Sequence, residues 1–319
     1  MTGGARTRVV RLAGAAAGVA LFAWAVRLAG VDALVDLIRR IGWGWAAILA
    51  LAGARFALRA QCWRGCLPPG VPLDFPHAFG AFLAGDAVGN VTPFGLLASE
   101  PTKVLLTRHH LATLDSVASL TLENILYSVS VLVMLASGLT LMLATIAVPQ
   151  GVRLFAFGAL AGIAAAAGIG VTALRVPLDV SGHAASSLRG RAVRLRDEVW
   201  RFGRDHPRRL ARVFSLHLLF HVLAVAETWL TLQWLLGARS PTAVQAVIFE
   251  KVNRATIVLF KFIPFRIGVD EAASGAIAPL VAVTAAAGVA LAVVRKGRNL
   301  TWSAAGLLIL LAHPSRRVP

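Results

Sequence analysis

Apolar runs recur along almost the whole of this chain, at roughly residues 10–31, 43–61, 116–147, 152–175, 210–236, 271–294 and 298–313. Each approaches the ~20 residues that a helix needs to cross a hydrocarbon core about 30 Å thick. Of 319 residues, 57% are hydrophobic and 15% charged, with a mean hydropathy of +0.73, which excludes an ordinary soluble domain. The fold class that follows is all-α, a polytopic transmembrane helical bundle. Trp43, Trp45 and Trp63 flank the second run, where amphipathic rings prefer the membrane interface.

The formal charge of +17 would suggest nucleic acid in a soluble protein. Here the basic residues cluster beside apolar runs and no DNA- or RNA-binding pattern is present, so the positive-inside rule and anionic head groups account for them. Arg6, Arg8 and Arg11 place the N-terminus in the cytoplasm, and residues 176–209, with Arg189, Arg191, Arg194, Arg196, Arg201, Arg204, Arg208 and Arg209, form a cytoplasmic loop. Ala23-Trp24-Ala25 resembles a signal-peptide cleavage site, but the apolar stretch continues to about Val31 and reads as a retained first helix. Cys62 and Cys66, the only cysteines, lack the further ligands of a zinc site and read as small apolar fillers.

The run from Ser116 to Ala147 is too long for one span, so it starts in the cytosol or breaks near Gly138. Arg64, Lys103 and Arg108, and later Arg295, Lys296 and Arg298, mark further cytoplasmic connections. These constraints fit one topology. Residues 77–100 dip into the membrane from the cytoplasm, residues 243–268 dip in from outside, and the last two runs form a hairpin that leaves the C-terminus outside. An external Arg316 and Arg317 count against that last step. The result is a single membrane domain with two re-entrant segments in an inverted-topology repeat. Its first half is 10–175 with an extra N-terminal helix, the basic loop is 176–209, and the second half is 210–313.

Two short stretches support the repeat. Pro93-Phe94-Gly95-Leu96-Leu97-Ala98-Ser99-Glu100 and Pro264-Phe265-Arg266-Ile267-Gly268-Val269-Asp270-Glu271 share Pro-Phe, an aliphatic residue three after the proline and a Glu seven after it. Interrupted, charged segments in corresponding halves of a membrane protein point to a transport site. Residues 250–271 hold Glu250, Lys251, Arg254, Lys261, Arg266, Asp270 and Glu271, too much charge for a lipid-facing helix. Glu250, Arg254 and Lys261 share a helix face, so one carboxylate could pair while cationic charge remained for a phosphate. A salt-bridged interfacial helix without a ligand would carry the same residues.

In the first half, Asp86, Asn90, Thr92 and Pro93 interrupt a glycine-rich apolar segment, and Glu100-Pro101-Thr102-Lys103 opens a new amphipathic stretch. Its N-terminal amides would hold an anion, or Ser99 and Glu100 would merely cap it. Ser116, Ser119, Glu123, Tyr127 and Ser130 fall on one face of the third run, which should look into the protein. Lys103, Arg108 or a base from the second half would pair with Glu123. His217 and His221 stand at zinc-compatible i, i+4 spacing, but Glu227 lies on another side of the helix and no catalytic signature accompanies them.

Taken together, Asn90 through Glu100, Glu123-Asn124, Pro264 through Glu271 and Arg295 resemble the flippase-like membrane domain of bacterial lysylphosphatidylglycerol synthases and their stand-alone relatives. That family carries Pro-Gly-x-x-Gly-Glu, a Glu-Arg pair, Pro-Gly-Gly-x-Gly-x-x-Glu and a late Arg. Phe94, Phe265 and Arg266 stand here where glycine is usual, Ser99 replaces the glycine before the Glu, and Asn124 replaces the Arg. The resemblance implies lipid translocation without the soluble synthetic domain.

The expected function is therefore a flippase of the cytoplasmic membrane, moving a lipid with an anionic or glycosylated head group between leaflets. It is not expected to be an enzyme and needs no metal or other cofactor. Asp86, Asn90, Glu100, Lys103 and Glu123 would line the path from one half, and Glu250, Arg254, Lys261, Arg266, Asp270, Glu271 and Arg295 from the other. The partners are the bilayer, the lipid, and either a second copy or envelope-lipid biosynthetic proteins. The alternatives are a membrane enzyme acting on lipid-linked substrates and a scaffold that transports nothing.

Overall fold

A computed structural model of the chain describes residues 39, 41–92, 95–175, 197, 200–237, 241–260, 263–266 and 268–312. The first apolar run and most of the basic loop lie outside them. The described residues form helices joined by short turns, with no strand among them: α1 (Gly44–Cys66), α2 (Phe75–Val91), α3 (Gly95–Thr107), α4 (Thr113–Thr145), α5 (Gln150–Arg175), α6 (Pro207–Leu236), α7 (Ala243–Leu259), α8 (Val269–Ile277) and α9 (Ala285–Ala312). Short 3-10 turns at Pro264–Arg266 and Ala278–Val281 flank α8. Residues 113–145, 150–170 and 207–236 are long and apolar enough to cross a membrane. The chain is a multi-pass α-helical membrane protein.

Local sequence sets most boundaries. Thr242 caps α7, its hydroxyl accepting from Gln245 N while the Gln245 side chain accepts from Thr242 N. Gly268, at φ 81°, turns the chain into α8, and the Glu271 carboxylate closes the turn by accepting from Gly268 N at 3.0 Å. The turn before it is more unusual. Phe265 and Arg266 lie at φ 50° and 49°, left-handed backbone that costs roughly 1–2 kcal/mol for any residue with a Cβ.

Two helical hairpins, α2–α3 and α7–α8, root at opposite ends of the bundle. Ala78 at the start of α2 and Leu106 at the end of α3 share an apolar cluster with Trp63 of α1, Leu120 of α4 and Ile309 of α9. Ile248 of α7 and Ala278 after α8 share another with Met142 of α4, Leu232 of α6 and Leu291 of α9. The tips meet, since α2 packs against the Pro264–Arg266 turn. Within the first hairpin α2 and α3 almost touch at Gly89 and Gly95, where a Cβ on Gly95 would collide with the Gly89 carbonyl.

Three expectations need correction. The run 271–294 is not a span: α8 ends at Ile277, and Pro279 with a left-handed Ala282 breaks the chain before α9 begins. Residues 294–298 are not a cytoplasmic connection either, because α9 runs unbroken through Arg295, Lys296 and Arg298. A helix can hold these three because each meets a carboxylate: Glu250, Glu271 and Glu227 respectively. With one helix in place of two, the end of α9 lies at the same end of the bundle as the end of α1 and the start of α4, not opposite to them. Of the two readings of the 116–147 run, the structure excludes only the break: α4 is continuous through Gly138, against which the Lys251 stem packs.

Candidate functional site

The α4 polar stripe turns inward as its spacing requires. Ser116, Ser119, Glu123 and Ser130 are all buried. Trp63 Nε1 donates to Ser119 Oγ at 2.9 Å. Glu123 meets Arg59 of α1 rather than Lys103, Arg108 or a base from the second half: Arg59 Nε and one terminal nitrogen donate to its two oxygens at 2.5 and 2.9 Å. The same guanidinium lies 3.8 Å from the Tyr127 ring centroid and reaches Asn124 Oδ1 at 3.5 Å. A base from α1 thus stands beside the position where the family pattern carries arginine.

Arg59 looks into a cavity of about 500 Å³ enclosed by both halves of the molecule. Its walls carry the cations Arg55, Arg59, Lys103, Arg254, Arg266 and Arg298, but only two carboxylates, Asp86 and Glu100. The remaining counter-charges sit behind the guanidinium groups. Glu227 serves both Arg55, at 2.9 Å, and Arg298. Glu250 accepts from Arg254 at 2.9 Å and from Arg295 at 3.4 Å, with Asn253 and Thr228 also within reach. Arg266 pairs with Asp270 at 3.2 Å, and Lys103 with Glu100 at 2.7 Å.

This tiered arrangement solves the problem of keeping guanidinium groups out of water. An unpaired buried charge costs several kcal/mol, and a carboxylate within reach of each group, Glu227 being shared by Arg55 and Arg298, offsets part of that penalty. Aromatic faces add to it: Arg55 lies 4.6 Å from the Phe220 centroid and Lys103 Nζ 4.0 Å from that of Phe82. A guanidinium has five N–H donors, more than one carboxylate can accept. The Nε atoms of Arg55 and Arg254 are buried without a hydrogen-bond partner. Arg254 gives its other donors to Glu250 and to Tyr127 Oη at 2.8 Å.

The sequence-chosen residues therefore divide. Asp86, Asn90, Glu100, Lys103, Arg254 and Arg266 line the cavity, with Asn90 donating to Asp86 at 2.8 Å. Glu123, Glu250, Asp270 and Arg295 stand behind it as partners of other charges. Glu271 pairs with Lys296 and closes the Gly268 turn, so it does not reach the cavity. Lys261 lies outside the described residues. Glu100 is an interior residue of α3, which starts at Gly95, so neither a helix cap nor an anion site on the amides before Pro101 is formed there.

Arg55, Arg59, Arg298 and Glu227 were missed by the sequence reading. The first two interrupt the apolar run 43–61 four residues apart, and Glu227 interrupts 210–236. The same cost argument that picked out residues 250–271 applies to them. His217 and His221 each meet a different neighbour. His217 Nε2 is 3.8 Å from Glu123 Oε1, and His221 pairs with Ser130 at 3.1 Å. Among the described residues no group of three His, Cys, Asp or Glu side chains is placed to hold a metal.

No curated protein and no solved structure matches the chain. The family model for the lysylphosphatidylglycerol synthase TM region matches residues 11–306, nearly the whole sequence, and the protein belongs to that family.

Proposed function

We propose that the protein is a lipid flippase whose cargo carries an anionic, phosphate-bearing head group. The observation that supports this reading is the convergence of six cations from α1, α2–α3, α7–α8 and α9 on one cavity, with their counter-carboxylates mostly behind them. Planar guanidinium donors match phosphate oxygens, and at about 500 Å³ the cavity is in the size range of small-ligand sites. The α2–α3 and α7–α8 hairpins act as re-entrant elements of an inverted repeat, meeting at their tips near mid-membrane. Rocking of one hairpin against the other would open the cavity to each leaflet in turn. The wall favours an anion over an uncharged sugar, because six cations line it against two carboxylates and its orphaned atoms are two guanidinium donors, Arg55 Nε and Arg254 Nε, against one carboxylate oxygen, Glu100 Oε2.

The test is reconstitution into liposomes with labelled phosphatidylglycerol and labelled phosphatidylcholine, scoring exposure on the opposite leaflet. The anionic lipid should cross faster than in protein-free vesicles, and Arg254→Gln should slow it at least about tenfold, as expected for loss of a charge-assisted contact. Equal crossing of both lipids, or none, would sink the proposal. Mass spectrometry of the same vesicles separates transport from catalysis, since an enzyme would change the mass of the lipid.

A further inference from the structure

A second cavity, of about 510 Å³, lies between α3 and α4. Val104 and Leu105 of α3 face Val117 of α4 across it, and Leu105 and Val117 are each nearly half exposed. Arg108 marks the end beside the α3–α4 connection. The other end is formed by Glu100 and Asn124, which also line the central cavity. From Glu100 to Arg108 the helix rises about 12 Å at 1.5 Å per residue. The groove is therefore charged at its mouth, apolar along its walls, and joined to the cationic cavity at its inner end.

Two details distinguish this groove from an ordinary lipid-facing crevice. The Arg108 guanidinium has only His109 Nε2 near it, at 3.4 Å, and no carboxylate partner among the described residues. At the inner end Glu100 holds Lys103 through one oxygen, while its other oxygen is buried without a partner. A phospholipid in a leaflet has this same order of chemistry, phosphate outward and hydrocarbon inward.

We propose that the α3–α4 groove is a loading site for an anionic phospholipid of the adjoining leaflet. Its phosphate rests on Arg108 and one acyl chain lies along Val104, Leu105 and Val117. The Glu100–Asn124 end is the gate through which the head group passes into the central cavity. The role as a loading site rests on the flippase reading; the binding of the lipid does not.

The experiment places p-benzoylphenylalanine at Val117 in the full chain, reconstituted in vesicles of equal phosphatidylglycerol and phosphatidylcholine. A second sample carries it at Ile169, 68% exposed on α5, outside the groove and with no charged residue within four positions of it. Mass spectrometry of the light-trapped adducts should show the anionic lipid enriched roughly fivefold at Val117, the factor contributed by one lipid-facing cation. Ile169 should sample the two lipids equally, and Arg108→Gln should bring Val117 to the same ratio. Equal sampling at both positions, or trapping of a second protein chain at Val117, would overturn the proposal. Enrichment at Val117 with no translocation by the unaltered chain would refute the flippase and leave the site standing. Translocation without enrichment would do the reverse.

Discussion

Arg59 divides its guanidinium among a carboxylate, an amide and an aromatic face, and its neighbours inherit the consequences. Glu123→Gln would leave a buried cation without its counter-charge, a loss of about 3–5 kcal/mol. The Arg59→Met, Glu123→Met pair removes both charges and should cost far less. Thermal unfolding of the three variants in detergent measures the difference. A second residue-scale prediction concerns Arg266, held at φ 49° and paired with Asp270. Arg266→Gly with Asp270→Asn removes both charges and relieves the left-handed backbone. It should keep or raise the melting temperature while lowering affinity for glycerol phosphate, which calorimetry would read. At this scale the sequence was legible wherever charge density alone condemned a lipid-facing helix, as at Glu250 and Arg254. It was not legible where a single arginine interrupted a good apolar run, because pairing partners such as Glu227 for Arg55 come from helices 172 positions away.

The helix α9 is the element on which both hairpins lean, packing against α2 on one side and α8 on the other. Its Gly306 faces the Leu83 backbone carbonyl so closely that a Cβ would collide with it. Gly306→Leu should destabilise the protein by about 1–3 kcal/mol or more, as overpacking against backbone does. Gly158→Leu on α5 is the matched control, since nothing lies within 4 Å of a Cβ there, and its melting temperature should not change. This element was also the one misread from sequence. Arg295, Lys296 and Arg298 look like a loop by the positive-inside rule, which assumes that basic residues seek water. Carboxylates on α6, α7 and α8 that meet these bases inside the bundle make that assumption fail here. The chain breaks between α2 and α3 and between α7 and α8, by contrast, were legible because proline, glycine and charge coincide there, although most of α8 was taken for the start of a span. The paired Glu residues nonetheless sit in different registers, Glu100 inside α3 and Glu271 in the first turn of α8.

For the whole molecule, the apolar clusters fix which ends of the helices lie together. Reporter fusions in the 67–74 connection and after Ala312 should report one side of the membrane, and fusions at Val148 and Val283 the other. Opposite sides for the first pair would dismantle this arrangement. The end of α9 lies on the side that holds the end of α1, with Arg64, and the α3–α4 connection, with Arg108. Membrane character was the most legible property of all, since composition alone carries it. Sidedness was less so, because one mistaken break in α9 reverses the end of the chain.

Glu123, Glu227 and Glu250 do not line the cavity, so a ligand entering it would meet the guanidinium groups and not the carboxylates behind them. On the flippase reading proposed above, an arriving phosphate would displace none of these carboxylates, and the occupied protein would hold one negative charge more than the empty one. A potential of 100 mV acts on that charge with about 2.3 kcal/mol. Voltage across the membrane would then set the direction of net lipid movement, with an electrically negative interior pushing cargo outward and no nucleotide required.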